Sequence, residues 1–251
     1  MRRTVGLTAI ALLAVLGAVR AEAGSLRIAV ASNFAAPIRV LASRFEAESG
    51  HTVTLSFGST GKHYAQIRHG APFDAFFAAD SERPARLERE ARIVPGSRFT
   101  YAVGRLALWS PQPGYVDSTG RVLEEGAFHR LAIANPRLAP YGAAAREVLE
   151  ALGLWQRLSG RMVRGENIGQ TFHFVRSGSA ELGFVAYAQI RQPDRPVTGS
   201  WWRVPAELHT PIEQQVVLLH DTPTGRAFLA FVKSETAQAL IRAFGYDLPA
   251  P

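Results

Sequence analysis

Apolar positions along this chain follow two periods in turn, one suited to strands and one to helices. Residues 26–31 are a short apolar run of strand length, and Ile38, Val40, Leu41, Ala42 and Phe45 then recur at helical spacing until Gly50 stops them. Val53, Leu55 and Phe57 alternate as in a half-buried strand, and a short helix is expected through Tyr64, Ile67 and His69 to Gly70. A third strand is predicted over 73–79 and a helix over 83–91. Strands and helices alternating in this way make a βαβαβ unit, whose natural form is a parallel sheet covered by helices.

Residues 101–109 read as one further strand leading into a Pro- and Gly-rich loop over 110–120. A second α/β set follows, with strands over 131–134, 162–164 and 182–187 and helices over 143–152 and 168–175. A strand over 214–219 and one or two helices over 227–244 complete the pattern, and no internal repeat is visible. The expected architecture is a two-lobed α/β molecule, each lobe a mixed, mainly parallel sheet flanked by helices, with a ligand cleft between the lobes. The first lobe takes 24–104, the second 105–213, and 214–251 returns to the first. Small ligands favour clefts at such interfaces.

The opening residues stand outside that pattern. Arg2 and Arg3 precede an apolar run over 5–19 that ends in Ala21-Glu22-Ala23, the layout of a cleaved secretory signal peptide over 1–23 with Gly24 as the first mature residue. The run falls short of the roughly 20 residues that a spanning helix needs. A periplasmic destination is expected. Cysteine is absent, which excludes disulfides and a cysteine-linked lipid anchor. An apolar fraction of 47% excludes a disordered chain. The formal charge of +7 falls to +5 once Arg2, Arg3, Arg20 and Glu22 are removed, and its basic residues are scattered. That excludes a nucleic-acid-binding arm and leaves at most a weak pull on anions.

Candidate chemistry sits where predicted strands lead into helices: Ala31-Ser32-Asn33-Phe34, Gly58-Ser59-Thr60-Gly61, Ala139-Pro140-Tyr141-Gly142 and Gly165-Glu166-Asn167-Ile168. A helix start carries free N–H groups and the positive end of the helix dipole, so converging starts can bind an anion without a formal positive charge. Hydroxyl and amide side chains add donors. Ordinary helix capping accounts for any one of these loops. Four of them, in both halves of the chain, point to a site.

Several of these segments also resemble the periplasmic molybdate-binding proteins of ABC transporters, which are type II solute-binding proteins. They are VASNF (30–34), SFGSTGKHYAQI (56–67) followed by GAPFD (70–74) and Ala79-Asp80, LAIANPRLAPYG (131–142), GENIGQT (165–171) and LGFV (182–185). The resemblance covers essentially the whole mature chain, and SFGSTGK followed by GAPFD is its most specific part. It implies that molybdate or tungstate is held through its oxygens by Asn33 and Ser59 from one lobe and by Tyr141 and Ile168 from the other. Ile168 would use only its backbone N–H, and Ser32 would add a contact. It further implies a monomer with no cofactor and no directly ligated metal, delivering its ion to an ABC transporter permease. The better-known branch of the family has Ser in place of Asn33 and a ligand-binding Tyr in place of Ala186. The chain is similar instead to a branch with Asn at the first loop and Tyr in the Pro-Tyr-Gly turn. Tyr187, one position on, is read as packing, and Thr60 is left open as a contact.

Other constellations carry less. Gly61-Lys62 is not a phosphate-binding P-loop, because Ser56 and His63 stand where Gly and Ser or Thr are required. Lys62 is therefore expected on a solvated helix face. The seven histidines have no metal-ligand spacing. Asp74, Asp80 and Glu166 are expected near the cleft, bonded to loop backbone. Trp201 and Trp202 are expected to pack under the return crossover. Three other functions remain open at this point: a binder of sulfate or phosphate, a binder of ferric iron through Tyr141 and Tyr187, and an esterase or phosphatase with Ser59 as nucleophile. Nothing in the sequence sets a general base beside Ser59.

Overall fold

The computed structural model describes residues 23–249. The expected signal peptide therefore lies outside the described residues, apart from Ala23. Ten strands fall into two five-stranded sheets.

The chain opens with β1 (Ser25–Ala31), a one-turn 3-10 segment Ser32–Phe34 and α1 (Ala35–Ser49), then β2 (Thr52–Gly58), α2 (Thr60–Arg68), β3 (Ala75–Phe77) and α3 (Glu82–Arg89). It continues through β4 (Phe99–Gly104), β5 (Leu106–Ser110), α4 (Val122–Glu125), β6 (Leu131–Ala134), α5 (Pro140–Ala151), α6 (Trp155–Leu158), β7 (Met162–Gly165) and α7 (Ile168–Arg176). Then come β8 (Leu182–Ala186), α8 (Tyr187–Ile190), β9 (Ser200–Arg203), β10 (Ile212–Leu218), α9 (Pro223–Val232) and α10 (Glu235–Ala243).

The first sheet has the order β2-β1-β3-β10-β4 and the second β7-β6-β8-β5-β9. In each, four strands run the same way and the fifth runs antiparallel to both of its neighbours: β10 between β3 and β4, and β5 between β8 and β9. Arg105 alone separates β4 from β5, so the first crossover between the sheets is a single residue. The second is the stretch between β9 and β10. Helices cover both faces of each sheet, which is why the interior parallel strands β3, β6 and β8 are nearly continuous apolar runs, whereas the edge strand β2 alternates. Phe34, Phe77, Tyr101 and Phe228 centre the first lobe's core, while Leu108, Ile133, Val148 and Phe184 lie in the core of the second.

The structure corrects several sequence-based expectations. The single strand over 101–109 is two strands in two sheets; both sides of Arg105 are apolar, so periodicity alone shows no break. The third strand is only Ala75–Phe77, because Phe73 and Asp74 precede the pairing with β1. The helix expected from 143 begins at Pro140, a residue suited to a first helical turn, so Tyr141 is helical. Tyr187 opens a short helix instead of ending β8. Trp201 and Trp202 lie in β9, the edge strand beside β5, and not under a crossover; adjacent aromatics on opposite faces show no apolar alternation.

Candidate functional site

The carboxyl ends of β1 and β2 in one sheet face those of β6 and β7 in the other, and each leads into a helix start. Ligands of open α/β sheets bind at this end of the strands. Ser59 is the N-cap of α2, its Oγ accepting from the Lys62 N–H at 3.3 Å. Asn167 is the N-cap of α7, its Oδ1 accepting from the Gln170 N–H at 3.0 Å. In α5, Pro140 has no N–H to offer, so the Tyr141 amide is that helix's first donor.

All five sequence-predicted residues, Ser32, Asn33, Ser59, Tyr141 and Ile168, line one cavity between the lobes. The cavity measures about 10 Å³, roughly the room that one water molecule needs. Asn33, Ser59, Tyr141 and Ile168 are each at most 3% exposed, so the residues that would meet a ligand are buried. No charged side chain lines it.

The side chains divide into two sets. Ser32 Oγ spans the lobes, donating to Asn167 Oδ1 at 3.0 Å and accepting from the Gly169 N–H at 3.1 Å. Thr60 Oγ1 accepts from the Ala79 N–H at 3.0 Å, fixing the loop after β3. Asn33 and Tyr141 turn their polar ends away from the cavity towards the crossovers. Asn33 Nδ2 donates to Gln214 Oε1 at 2.7 Å and to Tyr246 Oη at 3.1 Å, which commits both amide hydrogens. Tyr141 Oη accepts from Gln214 Nε2 at 3.1 Å. Burial pushes the Tyr141 and Tyr101 hydroxyls well above the usual tyrosine range, so both stay protonated. The groups best placed for an anion are then the Ser59 hydroxyl and the first-turn amides of Tyr141 and Ile168, held at helix starts by the fold itself. Gln189 Nε2 donates to the Ile168 carbonyl at 3.1 Å and steadies that turn.

The lobes also touch around the cavity rim. The Gly61 N–H donates to the Leu138 carbonyl at 2.8 Å, and a Cβ on Gly61 would lie 3.1 Å from Leu138 backbone atoms, so glycine permits this approach. Lys62 lies on the solvated face of α2 as expected, and its Nζ also meets Glu166 across the cleft at 2.9 Å. Glu166 thus serves an ion pair between lobes rather than a loop backbone. Asp80 holds the Arg83 side chain, and Arg83 Nη2 reaches the Arg137 carbonyl of the other lobe at 3.2 Å. Burial pushes the Asp80 carboxyl above its usual range, against the pull of Arg83. Asp74 accepts from the Arg27 N–H at 2.7 Å at the opposite end of the strands, and so does not approach the cleft. A larger hollow of about 290 Å³ opens beside the cavity, but Asp80, Glu82, Glu147 and Glu213 line it. Such a wall repels anions.

Sequence reading missed Gln214, Tyr246, Tyr101 and Gln189. A signal existed for Gln214, since Gln214-Gln215 runs directly into the apolar Val216-Val217-Leu218 of one strand and a buried polar residue is informative. Tyr187 packs against Trp201, ring centroids 5.2 Å apart. Among the described residues no cluster of three or more His, Cys, Asp or Glu could hold a metal, and no helix is long and apolar enough to cross a membrane.

Comparison with known proteins fits this geometry. The sequence profile of the bacterial extracellular solute-binding proteins matches residues 26–247. The molybdate-binding protein of Azotobacter vinelandii is 49% identical over 95% of this chain and 96% of its own length. That of Rhodobacter capsulatus is 45% identical over 96% and 95%. A solved Azotobacter vinelandii periplasmic molybdate-binding protein superposes with a TM-score of 0.87 at 43% identity, covering 90% of this chain and all of that one.

Proposed function

We propose, from the premise that this chain belongs to the bacterial extracellular solute-binding proteins, that it captures molybdate in the periplasm for import by an ABC transporter. The observation that carries the reading is the small, uncharged cavity between the lobes at the starts of three helices, α2, α5 and α7, one from the first lobe and two from the second. A fully deprotonated dianion suits a cage of donors. Helix-start amides supply favourable field without a counter-charge, and exclusion of water strengthens it. Monohydrogen phosphate would bring a proton, and no carboxylate in the lining receives it. Tungstate, nearly the same size as molybdate, is held by the same groups. The preference for molybdate over sulfate rests on the likeness to the two molybdate-binding relatives.

In this reading the Ser59 hydroxyl and the Tyr141 and Ile168 amides hold the ion, Asn33 lines the cavity with its side chain committed to Gln214 and Tyr246, and Ser32 closes the cleft. The protein works as a monomer without a cofactor, and the lobes open at the two crossovers, as hinged binding proteins do. The closed form is what a permease at the inner membrane receives. An esterase or phosphatase is disfavoured because Ser59 Oγ is bonded to the Lys62 backbone rather than to a general base. Ferric iron is disfavoured because the Tyr141 phenol is held protonated and turned from the cavity.

Titration calorimetry with molybdate, tungstate, sulfate and phosphate tests the proposal. Molybdate and tungstate are expected to bind and to raise the melting temperature, by about 2.7 kcal/mol of stability at one hundred times Kd, with phosphate inert. Absence of heat with molybdate overturns it.

A further inference from the structure

We propose that Gln214 is a positioning residue for oxyanion capture, one side chain that holds the ion-binding loops of both lobes in register. The inference rests on the oxyanion reading of the cavity, although Gln214 does not line that cavity. Gln214 lies on β10 where the pairing with β4 slips between Gln214 and Gln215, and it is fully buried. The extra residue of the bulge is Tyr101 on β4, and Gln214 and Gln215, as neighbours on a strand, point to opposite faces. Gln215 turns to Thr100 and Arg98, and Gln214 turns inward.

There its amide makes three bonds. Oε1 accepts from Asn33 Nδ2 at 2.7 Å and from the Tyr101 hydroxyl at 3.0 Å, while Nε2 donates to Tyr141 Oη at 3.1 Å. Asn33 belongs to the first lobe's loop and Tyr141 to the first turn of α5 in the second. The strand that carries the chain back across the cleft therefore grips a binding residue on each side of it. The other crossover makes room for this joint. A Cβ on Gly104 would lie 2.2 Å from Tyr141 Oη and 2.6 Å from Gln214 Nε2, so a side chain there would evict the phenol. Tyr246 completes the arrangement, its hydroxyl donating to the Asn33 carbonyl at 2.9 Å.

These groups are buried, and a buried donor or acceptor deprived of its partner bears the full cost of desolvation. The joint is satisfied only when Tyr141 sits over Gly104, the position that also aims the Tyr141 amide into the cavity. Gln214 thus acts through Asn33 and Tyr141, favouring the closed arrangement and slowing release of the ion.

The test compares Gln214→Met, Tyr141→Phe, their double variant and Gly104→Ala with the unmodified protein. Each is titrated with molybdate, tungstate, sulfate and phosphate, and release of the tightest-binding ion is followed by stopped flow. Each single variant is expected to bind about ten-fold more weakly, mainly through faster release. The double variant is expected within about three-fold of the weaker single, because both changes cut one link. A Gln214→Met protein with lowered melting temperature but unchanged ion release, or additive losses in the double variant, overturns the proposal. Gly104→Ala retains the Gln214 side chain but crowds both its Nε2 and the Tyr141 phenol, breaking the link between them, so unchanged release there overturns it as well, even if Gln214→Met does not fold. Tightest binding of sulfate or phosphate by the unmodified protein would sink the molybdate reading while the variants still judge the joint, and binding of none of the four ions would sink both.

Discussion

His63 sits on the inner face of α2, 2% exposed, with Nδ1 on Gln66 at 3.1 Å and Nε2 without a hydrogen-bond partner. Burial lowers its pKa below the ordinary 6.5, so the folded protein keeps it neutral where the unfolded chain accepts a proton. The unfolded state then binds more protons, and stability must fall as pH drops below 6.5. Melting of the ligand-free protein is expected to come earlier as pH is lowered from about 7.5 to about 5, and His63→Leu should flatten that slope. An unchanged slope would assign the pH dependence to other groups. The same scale shows where sequence reading stopped. Asn33 and Tyr141 were legible as members of helix-start loops, but the direction of their polar atoms depends on Gln214 and Gly104, distant in the chain. No local pattern contains that information.

At the scale of elements, the starts of the helices were the most legible part of the molecule, because Ser59 and Asn167 are the residue types that cap helices. Asn167 does more than cap, since it also receives the Ser32 hydroxyl from the other lobe. Thr222 caps α9 by accepting from the Gly225 N–H at 3.0 Å, on a helix remote from the cavity. Asn167→Ala and Thr222→Ala are each expected to cost about 1 kcal/mol of stability in denaturant unfolding. Only Asn167→Ala should also weaken oxyanion binding in calorimetry; equal affinities in the two variants would show that the α7 start plays no part in the site. What stayed illegible were elements set by partners: β4 and β5 are separated only by the sheets they join, and β9 is a strand only beside β5.

For the whole molecule, the two-lobed plan followed from the alternation of periods, whereas the contacts that shut the lobes did not, because each joins residues far apart in sequence. Lys62 and Glu166 illustrate this. Both side chains are about half exposed, so their attraction is modest and screened by salt. Lys62→Met is expected to speed ion release by roughly two- to five-fold at low ionic strength, with the difference fading near about 1 M salt. A difference that persists in high salt would mean that the lysine acts by packing and not by charge.

The interior position of β10 in the first sheet has a consequence in time rather than in space. The strand that lies between β3 and β4 is made only after the whole second sheet. Until residue 218 exists, β4 has no neighbour in its sheet and β3 has only one, so the first sheet stops at β2-β1-β3. Synthesis order and native topology thus keep the first sheet incomplete until the chain is nearly finished, because β4 joins it only through β10.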